Sequence, residues 1–154
     1  MTNVQYLKQA GIFEDLTPTQ LQLLASIAEE RALPASAVIF EEHSSGTELY
    51  VIARGAVDIQ INTGSGAQTI ARLGAGESFG EIAMVDSGLR SARALCSEKS
   101  LLLAIDRDRL RVLCENFPAL GYRLMRNLAA DLAMKLRTTD SQMSHLLHQR
   151  GSES

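Results

Sequence analysis

The spacing of hydrophobic positions changes twice along the chain. Leu21, Leu24, Ala25 and Ala28 fall on one face of a helix, and Thr17-Pro18-Thr19-Gln20 gives it a start. Thr17 supplies a capping hydroxyl, Pro18 suits the first helical position, and Gln20 completes a capping box three residues on. From Ala32 to Ile105 short runs of β character take over: Val38-Ile39-Phe40, Leu49 to Ala53, Val57 to Ile61, Thr69 to Leu73 and Ser100 to Leu103. Gly46, Gly55, Gly64, Gly66, Gly74, Gly76 and Gly88 interrupt them, a pattern that predicts an antiparallel barrel, roll or sandwich. Arg54-Gly55 and Asn62-Thr63-Gly64-Ser65-Gly66 read as hairpin connections.

After Ile105 the helical period returns. Asp106 or Asp108 can cap a helix reaching about Asn116, Pro118 breaks it, and a long helix is expected from about Ala119. Within that helix Tyr122, Met125, Ala129, Leu132, Leu136, Thr139, Met143 and Leu146 follow alternating steps of three and four, a heptad seam. Such a seam fits self-association; the alternative is an amphipathic helix packed wholly within its own domain. The polar tail from Gln149 to Ser154 is expected to fray.

At 154 residues the chain suits one domain with one core, divided as helical 1–31, β-rich 32–105 and helical 106–148. A net charge of −3 opposes a nucleic-acid surface built on bulk positive charge. Cys96 and Cys114 lie in apolar stretches outside any Cys-x-x-Cys pair, as expected for buried thiols in a reducing cytoplasm rather than a disulfide framework. Met1 to Ala10 lacks the basic and apolar regions of a signal peptide, and no stretch suits a membrane span.

Residues 74–93 carry the most chemical information. Phe79 ends a strand-like piece and Gly80 allows a sharp turn, so Glu81 to Val85 can form one helical turn whose leading N–H groups attract an anion. Arg90, nine residues after Glu81, can bring a guanidinium to the same anion as a forked clamp. Glu81 beside a phosphate makes sense when it accepts a hydrogen bond from a hydroxyl of the same ligand. One phosphate with an adjacent hydroxyl satisfies all three residues. An ion pair between Arg90 and Glu81 would instead satisfy both charges with no ligand at all.

Phe79-Gly80-Glu81-Ile82-Ala83 followed by Arg90-Ser91-Ala92 resembles the phosphate-binding cassette of cyclic nucleotide-binding domains. The stretch from Phe40 to Ile52, with Gly55, is similar to that family's first strands and turns. The resemblance implies a mainly β fold: an antiparallel, jelly-roll-like β-roll of eight strands with an N-terminal helix, a short cassette helix and a long C-terminal helix. It further implies that Glu81 binds the ribose 2'-hydroxyl, and that Arg90 with the Ser91 hydroxyl and backbone binds the cyclic phosphate. The backbone at Gly80, Ile82 and Ala83 would support that phosphate, with Phe79 and Ala92 flanking the cassette.

Three departures from the family pattern stand out. His43 occupies an early turn where the family usually has glycine, a change outside the cassette. No helix-turn-helix follows the long helix, so the chain resembles the sensor half of catabolite-activator-type regulators without their DNA reader. Thr138-Thr139-Asp140 falls where those regulators reach the purine with hydroxyls; Thr139 matches one, while Asp140 puts a carboxylate in place of another. A carboxylate can accept both N1–H and N2–H of guanine, whereas a solvated Asp140 selects nothing, so cAMP and cGMP both stay open.

Other chemistry finds little support. No P-loop, dinucleotide fingerprint, nucleophile elbow or His-Glu-x-x-His is present, and His145 with His148 makes a poor two-ligand metal site near the chain end. The expectation is a non-enzymatic cytoplasmic sensor or regulatory domain binding cAMP or cGMP, without cofactor, metal, membrane or DNA-binding part. It would pass ligand binding through its C-terminal helix to a homodimer or a protein partner. The alternative is a ligand-independent dimerisation module with a vestigial cassette.

Overall fold

The computed structural model describes the backbone of residues 1–85 and 88–153 and the side chains of residues 1–85 and 88–138. Two short helices open the chain, α1 (Asn3–Gln9) and α2 (Pro18–Ile27), separated by a 3-10 turn at Gly11–Phe13. Each helix begins in a full capping box, Thr2 with Gln5 and Thr17 with Gln20. α2 stops at Ile27, so Ala28 belongs not to its apolar face but to the first strand. The strands are β1 (Ala28–Leu33), β2 (Val38–Phe40), β3 (Glu48–Arg54), β4 (Ala56–Asn62), β5 (Ala67–Gly74), β6 (Ser78–Phe79), β7 (Arg93–Cys96) and β8 (Ser100–Asp106). α3 (Arg107–Asn116) is capped by the Asp106 carboxylate, and α4 (Pro118–Glu153) follows. The helix therefore runs to Glu153, within the tail expected to fray.

Among the described residues the strands form two four-stranded antiparallel sheets, ordered β1-β8-β3-β6 and β2-β7-β4-β5. This is the expected β-roll. The β4–β5 hairpin turns at 62–66 as anticipated. Arg54-Gly55 is not a hairpin, because β3 and β4 lie in different sheets. Gly55 (φ 100°) carries the chain from one to the other, so close to β8 that a Cβ would lie 2.3 Å from Ser100 Oγ.

The first sheet is covered on both faces, which is why β3 reads as an unbroken apolar run. Leu49, Val51 and Ala53 of β3, with Leu103 and Ile105 of β8, join the core formed by the helices, including Leu7, Phe13 and Leu24. Tyr50, Ile52, Leu102 and Ala104 point the other way and meet Val57, Phe79 and Ala94 inside the roll.

The long helix divides its faces. Leu120, Leu124 and Leu128 are buried against the helical core. Tyr122, Met125 and Leu136 of the expected seam are exposed, at 72%, 41% and 63%. They are therefore not the residues that pack the helix onto its own domain. Thr139, Met143 and Leu146 have side chains outside the described residues, as do His145 and His148. Cys96 and Cys114 are unbridged, the first buried and the second half-buried, and burial pushes both thiols up.

Candidate ligand-binding site

β6 brings Phe79 against Tyr50 of β3, their rings stacked with centroids 5.1 Å apart. The next residue, Gly80, adopts φ 78° and ψ 12°, the left-handed region, and the chain enters the 3-10 turn Glu81–Met84 at once. Glycine is needed for room as well as for backbone conformation: a Cβ at Gly80 would lie 2.8 Å from Arg90 Nη1 and 3.0 Å from the Glu48 carbonyl. The Ala83 N–H donates to the Gly80 carbonyl at 3.1 Å. That bond closes the turn.

Arg90 is 7% exposed. Its Nη2 donates to the Glu48 carbonyl at 2.8 Å and its Nη1 to the Gly80 carbonyl at 3.4 Å. The guanidinium carbon stands 4.2 Å from the centroid of the Phe40 ring. Among the described residues Nε has no hydrogen-bond partner and no carboxylate forms an ion pair with Arg90. Burial lowers its pKa, partly offset by Tyr50 and Glu48, yet a guanidinium stays charged. Gly46 leaves the space the guanidinium fills, since a Cβ there would lie 2.5 Å from Nε.

Glu81 is 4% exposed and accepts a hydrogen bond from the Lys135 ammonium of α4, not from Arg90. The ligand-free ion pair weighed from sequence is thus not formed. Lys135 Nζ also donates to the Ser78 carbonyl at 3.3 Å and pairs with Asp131 at 3.1 Å. Burial pushes the Glu81 carboxyl above its ordinary range, while Lys135 and the residue's own amide pull it back. The Lys135 pKa stands above its ordinary value: burial opposes the charge, but Glu81 and then Asp131 outweigh it. Among the described residues Glu81 Oε2 is buried without a partner.

The cradle thus offers one orphaned donor on Arg90 and one orphaned acceptor on Glu81, the two residues linked through Gly80. Both orphans belong to ionisable side chains that are almost fully buried, where leaving them unsatisfied is costly. Ser91 is exposed, Ile82 is half exposed, and Phe79 and Ala83 are buried, with Ala92 between these extremes. Thr138 is exposed and its hydroxyl donates to the Met134 carbonyl at 3.0 Å. Thr139 and Asp140, the expected base contacts, have side chains outside the described residues.

Three contributors were not singled out from sequence: Phe40, Gly46 and Lys135. Gly46 is one turn glycine among seven, and Lys135 belongs to no motif in the sequence. An available signal was Asp131 four residues before Lys135, spacing that puts both on one helix face. The His43 turn proves to be joined to the cassette. His43 N–H donates to the Arg90 carbonyl and Arg90 N–H to the Ser44 carbonyl, both at 2.7 Å, with His43 at φ 67°. The family's glycine at that place has a physical reason, and the departure reaches the cassette after all.

A profile described as the cyclic nucleotide-binding domain matches residues 30–117, more than half of the chain. The chain belongs to the cyclic nucleotide-binding domain family. The cyclic AMP receptor protein of Thermus thermophilus is 35% identical over 141 residues, covering 91% of this chain and 63% of that protein. A cGMP-dependent protein kinase of Drosophila melanogaster is 28% identical over 122 residues, 77% of this chain and 13% of the kinase. A solved cyclic nucleotide-binding domain from Methylobacillus flagellatus superposes with a TM-score of 0.81 at 28% identity, over 91% of this chain and 79% of that one. The chain therefore spans less than two thirds of the receptor's length. The cyclic nucleotide-binding domain family is one of regulatory, ligand-binding domains with a general signalling role rather than catalysts. Among the described residues no helix is long and apolar enough to cross a membrane, and no three side chains are grouped to hold a metal.

Proposed function

We propose that this chain is a single cyclic nucleotide-binding domain that senses cAMP or cGMP in the cytoplasm and reports it through its long helix. The observation carrying this reading is the pair of orphaned buried atoms, Arg90 Nε and Glu81 Oε2. A cyclic phosphate supplies the acceptor that Arg90 needs, and the neighbouring ribose hydroxyl supplies the donor that Glu81 needs. Ser91 follows Arg90 in the chain and would add its hydroxyl and backbone, with the Gly80 and Ile82 backbone supporting the phosphate.

Transmission has a material route. Lys135 ties Glu81 to α4, and a cavity of about 650 Å³ is lined by Met84 and Val85 of the cassette with Leu110, Gly121, Tyr122 and Met125 of the last two helices. Ligand that shifts the cassette therefore shifts the Glu81 end of the Lys135 tie and one wall of that cavity, with coupling of about 1–3 kcal/mol typical of such linkage. The exposed Tyr122, Met125 and Leu136 fit a homodimer along that helix, and Thr139 and Asp140, next along it, would be the base contacts.

Sedimentation velocity with and without cAMP or cGMP, run beside thermal unfolding, tests the reading. A nucleotide-dependent change in mass or shape together with a raised unfolding temperature is expected. A dimer indifferent to both nucleotides would favour the scaffold reading, in which the exposed stripe is the function and the cassette binds nothing.

A further inference from the structure

We propose that Phe40 is a positioning residue for the Arg90 guanidinium, a platform that holds the phosphate clamp in one plane. A long side chain with an unpaired Nε has several ways to lie, and the two carbonyl bonds from Nη1 and Nη2 leave it free to tilt. The Phe40 ring removes that freedom: the guanidinium carbon stands 4.2 Å from its centroid, within the range where a planar cation is attracted to an aromatic face. Gly46 completes the slot by leaving no side chain in the space the guanidinium fills.

The platform is itself fixed. The register of β2 against β7 shifts between Val38 and Phe40, an irregularity that re-aims a side chain relative to a regular strand. Phe40 then packs on Tyr50 and Phe79, each with ring centroids 6.0 Å away. The Glu48 carbonyl that receives Nη2 is held from behind, because Arg31 grips the Glu48 carboxylate at 2.8 and 2.7 Å and the Tyr50 hydroxyl donates to it at 3.0 Å. Phe40 is only half-buried, so filling volume is not its whole contribution. An aliphatic residue of similar bulk would fill the place without offering a negative face to the cation.

The ligand half of this proposal rests on the cyclic-nucleotide reading; the geometric half does not. Phe40→Leu and Phe40→Tyr are compared with the parent chain by the proton resonance of Arg90 Hε, by calorimetric titration with cAMP and cGMP, and by thermal unfolding. In the parent, the ring should shift Hε upfield of the solvated arginines; Phe40→Leu should abolish that shift and Phe40→Tyr retain it. Nucleotide affinity should fall about fivefold in Phe40→Leu and stay within about twofold in Phe40→Tyr. An unshifted Arg90 Hε in the parent overturns the proposal even if Phe40→Leu fails to fold. So does a Phe40→Leu chain that binds as the parent does, or a Phe40→Tyr chain that loses as much as Phe40→Leu. A parent chain that binds neither nucleotide overturns the functional reading instead, and the Hε shift then judges Phe40 alone.

Discussion

The two sides of the cradle handle buried charge in opposite ways. On one side Arg90 is held entirely from within the roll, by two backbone carbonyls and an aromatic face, and meets no counter-charge among the described residues. On the other, Glu81 has a full counter-charge, and it comes from α4, 54 residues away along the chain. On the proposed function, the difference separates affinity from signalling. The Arg90 side can grip an anion whatever α4 does, whereas the Glu81 side cannot change its partner without α4 feeling it.

Substitutions sharpen that contrast. The largest effect is expected from Arg90→Ala, which strands a charged phosphate and should weaken nucleotide binding about a hundredfold or more in calorimetry. Gly46→Ala drives a methyl into the guanidinium and should weaken binding about tenfold or more, with a lowered unfolding temperature as the guanidinium leaves the Glu48 and Gly80 carbonyls. Glu81→Ala should cost less than Arg90→Ala, because it strands a neutral hydroxyl. Equal losses for the two would erase the distinction drawn between the sides.

Stability against pH reads the Glu81 side separately. Burial holds the folded carboxyl pKa above its ordinary 4.5, so the folded state keeps its proton longer than the unfolded one does. The contribution is full below about pH 4.5 and is lost as pH rises through the raised folded value. Glu81→Gln should remove that decline, and denaturant midpoints for parent and variant across pH 4–8 would show it; a parallel pair of curves would contradict the raised value. The smallest effect concerns the turn joined to the cassette. His43 sits at φ 67°, a region that costs a residue with a side chain about 1 kcal/mol, so His43→Gly should raise stability by up to that much in chemical unfolding.

Much of this was legible in the sequence wherever local chemistry decides. Gly80, Pro18 and the Asp106 cap each act through their own backbone or immediate neighbours, and the expected turn and helix starts are where those residues put them. The first helix carries the same capping signature at Thr2 and Gln5 that marks Thr17 and Gln20, so it was readable but not singled out. β1 was hidden for a different reason. Ala28-Glu-Glu-Arg-Ala-Leu33 is made of helix formers, and only pairing with β8 makes it a strand. β7, Arg93-Ala-Leu-Cys96, is likewise held between β2 and β4 rather than by its own propensity. Within the site, the cassette residues were found as a contiguous motif. Phe40, Gly46 and Lys135 reach it from β2, the following turn and α4, contacts that only the tertiary fold creates.

The most direct test is a calorimetric titration of the parent chain and of Glu81→Ala with cAMP and then with its 2'-deoxy analogue. The account predicts binding at about micromolar dissociation constant or tighter, weakened when the hydroxyl is removed, with that weakening absent in Glu81→Ala. Folded protein that ignores cAMP at millimolar concentration, with cGMP equally silent, would contradict it. So would a parent chain that binds the two analogues alike.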